Sequence, residues 1–278
     1  MLDSLNYKND IQTARPSNPK YPLVSDSRVK TIVAINNLQI GGTKAIVIAG
    51  PCSVESREQV LSTAKSIKQS GATMIRGGAY KPRTSPYDFQ GLGVEALEIL
   101  RETGDTYNIP VVTEVMSEAD VEVVCDYADM LQIGARNMQN FALLKKLSKV
   151  KKPILLKRGA SATISEFLSA AEYILHGGND RVVLCERGIK SFDPLLRNTL
   201  DLAAVALLKE LTHLPVIVDP SHATGKRSLI TPCSKAAIAV GADGLIVEVH
   251  PKPEEALSDR EQQLTFDEFS NLMTEVQS

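Results

Sequence analysis

Ile46-Val47-Ile48-Ala49-Gly50-Pro51-Cys52-Ser53-Val54-Glu55-Ser56-Arg57-Glu58-Gln59 carries the chain from a strand, through a turn holding a cysteine, into a helix. Ile46–Ala49 is a short unbroken apolar run, the pattern of a parallel strand covered on both faces. Gly50-Pro51 ends the run and Cys52 follows at once. Ser56-x-x-Gln59 fits a capping box, in which side chains satisfy the free backbone donors at a helix N-terminus. Beyond it Val60, Ala64 and Ile67 fall on one helical face, and Gly71 stands where a C′ glycine would stop the helix.

The unit repeats. Apolar runs at Ala45–Ala49, Thr73–Ile75, Val111–Val115, Met130–Ile133, Ile154–Leu156, Val182–Cys185, Val216–Val218 and Leu245–Val249 alternate with amphipathic stretches. Thr163-x-x-Glu166 and Thr265-x-x-Glu268 are further capping boxes, and Gly71-Ala72-Thr73 and Gly241-Ala242-Asp243 are matching helix-to-strand punctuation. A strand–helix unit repeated eight times is the sequence form of an α/β TIM (β/α)8 barrel. Before it, residues 1–28 look like a short, loosely ordered N-terminal arm of turn and polyproline signals. Val29–Ile35, Asn36-Asn37 and Leu38–Ile40 read as a hairpin within 29–43. The organisation expected is an arm, then a single barrel domain over 29–278.

With 278 residues and 43% apolar composition the chain can bury one large core. A net charge of −2 and a pI near 6.1 offer no basic field for nucleic acid and no polybasic membrane face. No apolar run approaches the roughly 20 residues of a membrane span. Met1–Lys20 lacks the apolar core of a secretory signal, and Cys52, Cys125, Cys185 and Cys233 form no CxxC pair. These features predict a cytoplasmic enzyme with reduced thiols.

In a TIM barrel the reactive groups gather at the C-terminal strand ends. Here those ends carry Cys52, Arg76, Lys81 and Arg83, Glu114, Gln132 and Arg136, Lys157 and Arg158, Glu186 and Arg187, Asp219 and His222, and Glu248 and His250. Arg76, Lys81, Arg83, Arg136, Lys157 and Arg187 crowd one mouth of a slightly acidic chain. Such crowding is costly unless anions neutralise it, and guanidinium forks match phosphate and carboxylate oxygens. The alternative is that these cations are solvated ends paired to Glu114, Glu186 and Asp219. Cys52, the strand ends Asp219-Pro-Ser-His222 and Glu248-Val-His250, and Ser258-Asp259 offer a thiol, an imidazole and two carboxylates that read as a metal site, and a mixed S, N, O, O set suits Mn, Fe, Co or Zn better than Mg or Ca. An unpaired carboxylate at Glu248, inside an apolar strand, would be expensive, and a cation is the simplest remedy. Cys125 and Cys185 read as core thiols, Cys233 beside Pro232 as a residue at a helix start, and His176 and His213 as helix-end residues.

The ordered motifs Ala49-Gly-Pro-Cys-Ser-Val-Glu-Ser56, Arg76-Gly-Gly-Ala-Tyr-Lys-Pro-Arg-Thr-Ser-Pro86, Gln132-Ile-Gly-Ala-Arg136, Leu156-Lys-Arg-Gly159, Cys185-Glu-Arg-Gly188, Arg197-Asn-Thr-Leu-Asp201, Asp219-Pro-Ser-His222 and Glu248-Val-His-Pro251 span nearly the whole barrel. With them the chain resembles the 3-deoxy-D-arabino-heptulosonate 7-phosphate (DAHP) synthases of the type I beta group, kin of the 3-deoxy-D-manno-octulosonate 8-phosphate (KDO8P) synthases. The resemblance implies a transferase of the shikimate pathway that joins C3 of phosphoenolpyruvate (PEP) to the aldehyde of erythrose 4-phosphate, adds water at C2 and releases phosphate.

It makes Cys52, His222, Glu248 and Asp259 the ligands of a divalent ion acting as a Lewis acid on the aldehyde. Arg76, Lys81, Lys157 and Arg187 would hold PEP with Ala135 and Arg136 alongside, Arg83 and Thr84 the acceptor's phosphate, and Lys81 would pass a proton to the alkoxide. KDO8P synthases carry Asn-Arg where this chain has Pro82-Arg83, which favours the four-carbon acceptor over arabinose 5-phosphate. Arg260 departs from the glycine usual after the last ligand, so Asp259 is the ligand it puts in question. The remaining alternative is a catalytically silent barrel, a regulatory partner for instance of a chorismate mutase. A homo-oligomer, dimer or tetramer, is expected, because the arm and hairpin have apolar surface to cover. Relatives often add a ferredoxin-like or chorismate mutase domain, and the arm before Val29 is too small for either. The purified chain is therefore expected to show no inhibition by micromolar Tyr or Phe in a phosphate-release assay.

Overall fold

The computed structural model describes residues 18–26, 30–83 and 85–277. Every expected run forms a strand within one residue of its predicted bounds. They are β3 Ile46–Gly50, β4 Met74–Arg76, β5 Val111–Glu114, β6 Met130–Ile133, β7 Ile154–Lys157, β8 Val182–Glu186, β9 Val216–Val218 and β10 Gly244–Glu248. All pair in parallel, and β10 closes on β3 to complete an eight-stranded barrel. Outside it run α1 Arg57–Gln69, α2 Val94–Tyr107, α3 Val121–Tyr127, α4 Phe141–Leu147, α5 Ile164–His176, α6 Leu202–Leu211, α8 Arg227–Ala239 and α9 Phe266–Gln277, with a one-turn helix α7 Pro220–Thr224 directly after β9. The TIM barrel read from the repeat is the fold found.

Local chemistry explains the boundaries. Thr163 and Glu166 make the reciprocal capping box at α5, and Thr265 and Glu268 do the same at α9. At α1 only half of the box forms: Ser56 accepts from the Gln59 amide, while Gln59 takes the Glu55 N–H instead. One expectation shifts. Pro232 does not open a helix, because α8 begins at Arg227 and Pro232 lies inside it, forfeiting the bond to the Ser228 carbonyl.

β1 Val33–Ile35 and β2 Leu38–Ile40 form the expected hairpin, turning at Asn36 with φ +51°. Val33, Ile35 and Ile40 join Ile48, Met74, Val112, Met130, Leu155, Val183, Ile217 and Ile246 in a core inside the barrel, so the hairpin plugs its N-terminal end. A second core fills the space between strands and helices.

The arm departs from the loose segment the sequence suggested. Tyr21 and Val24 are buried, the Leu23 and Val24 amides donate to Glu172, and Thr212 donates to the Val24 carbonyl. His213 does follow the end of α6, but its ring links this segment to the hairpin rather than capping the helix, contacting the Leu23 carbonyl at 2.9 Å and the Thr31 hydroxyl at 2.6 Å. Two apolar side chains in a turn carry no periodicity, so no pattern announced the docking. Residues 1–17 and 27–29, with the rest of the arm reading and the expected start at Val29, lie outside the described residues.

Gly50 ends β3 with φ +150°, and a Cβ there would stand 2.0 Å from the Arg76 carbonyl oxygen. Both atoms are backbone-fixed, so neither side can yield cheaply. Gly50→Ala is expected to cost about 3 kcal/mol in urea unfolding, from backbone strain and overpacking together. A loss below about 1 kcal/mol would show that the β3–β4 approach has slack.

Candidate active site

The side chains of a strand alternate with period two, and this pleat builds the site. Met74, Val112, Met130, Leu155, Ile217 and Ile246 point into the barrel core; two residues further on stand Arg76, Glu114, Gln132, Lys157, Asp219 and Glu248. Each of these six strands thus lays one polar group over its own apolar one at the C-terminal mouth. Past the ends of β3 and β8, Cys52 and Arg187 continue the ring.

Cys52, His222, Glu248 and Asp259 offer donor atoms that all lie within 4.8 Å of one another. Cys52 is 0% and Glu248 1% exposed. Asp219 caps α7 by accepting the His222 amide, and it also takes the ring Nδ1 at 2.8 Å. That contact turns Nε2 toward Glu248 Oε1 at 3.4 Å and Asp259 Oδ2 at 3.6 Å. Burial lowers the pKa of His222 despite Asp219 and Glu248, and with Nδ1 held by Asp219 it is Nε2 that can offer a lone pair to a metal. Burial raises Cys52, reinforced by Glu248, and pushes its thiol up to about 12. Burial works against the Asp259 carboxylate as well, but His222 and Arg197 outweigh it and hold it well below its ordinary value. A sulfur, an imidazole nitrogen and two carboxylates, converging and mostly dehydrated, fit a borderline divalent ion.

Arg260 leaves this set intact. The left-handed residue is Asp259 itself, φ +46°, and the exposed Arg260 turns back to the Ala256 carbonyl at 2.5 Å. No glycine is needed after the aspartate.

Beside these donors opens a cleft of about 640 Å³ whose wall includes Arg76, Lys81, Arg83, Arg136, Lys157 and Arg187, together with Ala135. Sequence reasoning missed that Lys190 and Arg197 join it. Arg197 sits in a quoted motif, and nothing in its local pattern says that it reaches Asp259 at 3.1 Å. The cations differ in how they are neutralised. Arg76 pairs with Glu248 at 2.6 Å and Lys157 with Asp219 at 2.5 Å, all four buried. The cation that Glu248 requires is therefore supplied in part by Arg76. Lys81 Nζ lies 3.0 Å from both the carbonyl and the sulfur of Cys52; burial disfavours its charge, but Cys52 and Glu248 more than offset this and keep it an ammonium. Arg187 is 8% exposed and bonds only the Gly188 and His222 carbonyls, with no carboxylate pairing among the described residues. Burial pulls its pKa down, and a ligand anion is what its surroundings lack.

Two strand-end residues face elsewhere. Arg158 turns away to Glu186, Asp201 and the Ala162 carbonyl. His250 is buried beside Glu55, 3.4 Å away, and does not line the cleft. Of the paired-ends alternative, the Lys157–Asp219 pair is found; Glu186 pairs instead with Arg158, which was not in that cation set, and Glu114 pairs with none of the six among the described residues. Thr84 lies outside the described residues.

Fold and site together define a barrel protein whose mouth presents four side chains able to hold a metal ion beside a cationic cleft. The chain belongs to the DAHP synthetase I family, which matches residues 26–278. It is 54% identical over 246 residues to the phospho-2-dehydro-3-deoxyheptonate aldolase of Thermotoga maritima, covering 88% of this chain and 73% of that one. A 2-dehydro-3-deoxyphosphooctonate aldolase from Francisella philomiragia is more distant, 31% identical over 245 residues covering 81% and 88%. The crystal structure of the Thermotoga enzyme superposes with a TM-score of 0.91 at 51% identity, covering 95% of this chain and 77% of that one. A truncated form of it gives 0.87 at 48% identity, covering 93% and 95%. No helix among the described residues is long and apolar enough to cross a membrane.

Because Cys52 is held as a thiol, a metal that binds its sulfur must displace a proton. Apparent metal affinity, followed by chelator competition, is expected to climb about tenfold per unit between about pH 6 and 8. A flat profile would remove Cys52 from the ligand set.

Proposed function

We propose that this chain condenses PEP with erythrose 4-phosphate and water to DAHP and phosphate, using the quartet and the cationic cleft described above. The chain is a DAHP synthase, a transferase of aromatic biosynthesis, by its family and by its 54% identity to the Thermotoga enzyme. The observation that carries the residue assignment is the buried, anion-free Arg187 beside Lys157, within one cleft that also reaches Lys81 and the quartet.

Arg187, Lys157 and Arg76, with Ala135 and Arg136 alongside, hold the carboxylate and phosphate of PEP, fixing its C3 toward the quartet. Lys157 and Arg76 are already braced by Asp219 and Glu248, so little reorganisation is needed when the substrate arrives. Arg83 stands further out, 3.4 Å from Asp88, where it can exchange that partner for the phosphate of the acceptor, with Thr84. Cys52, His222, Glu248 and Asp259 hold a divalent ion, of the Mn, Fe, Co or Zn kind given this donor set. Such an ion supplies Lewis acidity at the aldehyde oxygen. Lys81, protonated and 3.0 Å from Cys52, donates a proton to the oxygen that gains charge as the C–C bond forms. Water then adds at C2, and phosphate leaves as the C2–O bond breaks.

Phosphate release from PEP is expected only with both a divalent metal and erythrose 4-phosphate, and a preference for arabinose 5-phosphate would overturn the acceptor. In Lys81→Met, kcat should fall by about 10²–10⁴. Weakened PEP binding with turnover intact would refute the proton role.

A further inference from the structure

Among the groups that touch the quartet is one that is neither a ligand nor part of the cleft's cation set. Gln262 is 2% exposed, and its amide nitrogen faces two carboxylates: Glu248 Oε2 at 2.5 Å and Asp259 Oδ2 at 3.2 Å. Its carbonyl oxygen accepts from Arg197 Nη1 at 2.7 Å, and Arg197 also pairs with Asp259. A primary amide has two N–H donors, and here one is available for each carboxylate. The orientation is fixed by charge: turning the amide over would set its oxygen against two anions and its N–H groups against a guanidinium.

The neighbouring Gln263, 0% exposed, reaches the other side of the quartet. Its oxygen accepts the Cys52 amide at 2.9 Å, and its nitrogen donates to the Ser258 carbonyl at 2.9 Å. Two consecutive side chains thus tie the loop bearing Asp259 to the strand ends bearing Cys52 and Glu248.

We propose that Gln262 is a positioning residue for the metal centre: its amide fixes the rotation of the Glu248 and Asp259 carboxylates, with Arg197 holding the amide and Gln263 anchoring the loop to Cys52. Two carboxylates that bring oxygens within 4.8 Å of each other repel, and each has two oxygens to present. Donating to one oxygen of each carboxylate lowers that repulsion and settles which lone pairs face the centre. Partners of this kind typically contribute 10–100-fold in metal affinity. The inference rests on the metal-dependent synthase reading.

Gln262→Met keeps the length and approximate volume of the side chain while removing both donors and the acceptor. Its affinity for Co or Mn, measured by chelator competition, is expected to fall about 10–100-fold. The rise in Tm on adding metal should shrink with it, and kcat should return toward the wild-type value at saturating metal. Unchanged affinity, with Tm lowered equally in metal-free and metal-loaded protein, would make Gln262 a packing residue only and overturn the proposal. Should Gln262→Met fail to fold, Gln262→Asn draws the same amide back by one methylene, and the same measurement decides. The wild-type protein separates this inference from the one beneath it: absence of metal-dependent condensation there would sink the synthase reading, whatever the variant does.

Discussion

A carboxylate at the end of a barrel strand, 1% exposed, has to be neutralised, and much of this site follows from how Glu248 is. Desolvating one anion costs several kcal/mol unless charge and hydrogen bonds replace water. Arg76 supplies the charge from the neighbouring wall, Gln262 supplies a donor from the loop after β10, and the Ser221 hydroxyl takes the Glu248 amide. His222 brings Nε2 to 3.4 Å because Asp219 grips its other nitrogen. These partners come from three separate segments, Arg76 from β4, Ser221 and His222 from α7 and Gln262 from the loop after β10, so the pocket around Glu248 cannot assemble until the barrel has closed.

The same closure separates stability from chemistry. At the N-terminal end the hairpin seals the barrel with Val33, Ile35 and Ile40, and the segment around Tyr21 and Val24 is held against the outer wall through Glu172 and His213. At the C-terminal end the residue two places along is polar in six of the eight strands. One alternation of the backbone therefore yields a sealed apolar floor and a charged mouth, and the unfavourable crowding at the mouth is carried by the packing beneath it. Arg187 is the extreme case, a cation buried without a carboxylate. Its position is bearable because the Gly188 and His222 carbonyls solvate it.

Much of this was readable from residues alone. Ile46–Ala49, the recurrence of its pattern, and the Gly71 and Gly241 stops give the barrel, because parallel strands covered on both faces must be continuously apolar and helices must be capped. Arg76, Lys157 and Glu248 were legible because each breaks an apolar run where a strand ends, and Cys52, Lys81, Arg83, Arg136, Arg187 and His222 because each follows such an end closely. Arg197, Lys190, Gln262 and Gln263 broke no pattern, and His250 broke one without entering the cleft. A polar residue in a loop has no period to violate, so its direction is invisible in one dimension.

The chain by itself thus determined the number of strand–helix units, their order and the chemical types presented at one mouth, since these depend on local periodicity and capping. Only the tertiary structure decided which side chains meet: that Arg76 faces Glu248 across 172 positions of sequence, that Cys52 lies beside Lys81 and Asp259, and that Arg158 turns outward while Lys157 turns in. Such pairings depend on barrel closure and on the pleat phase of each strand relative to its neighbours, and both are properties of the assembled sheet.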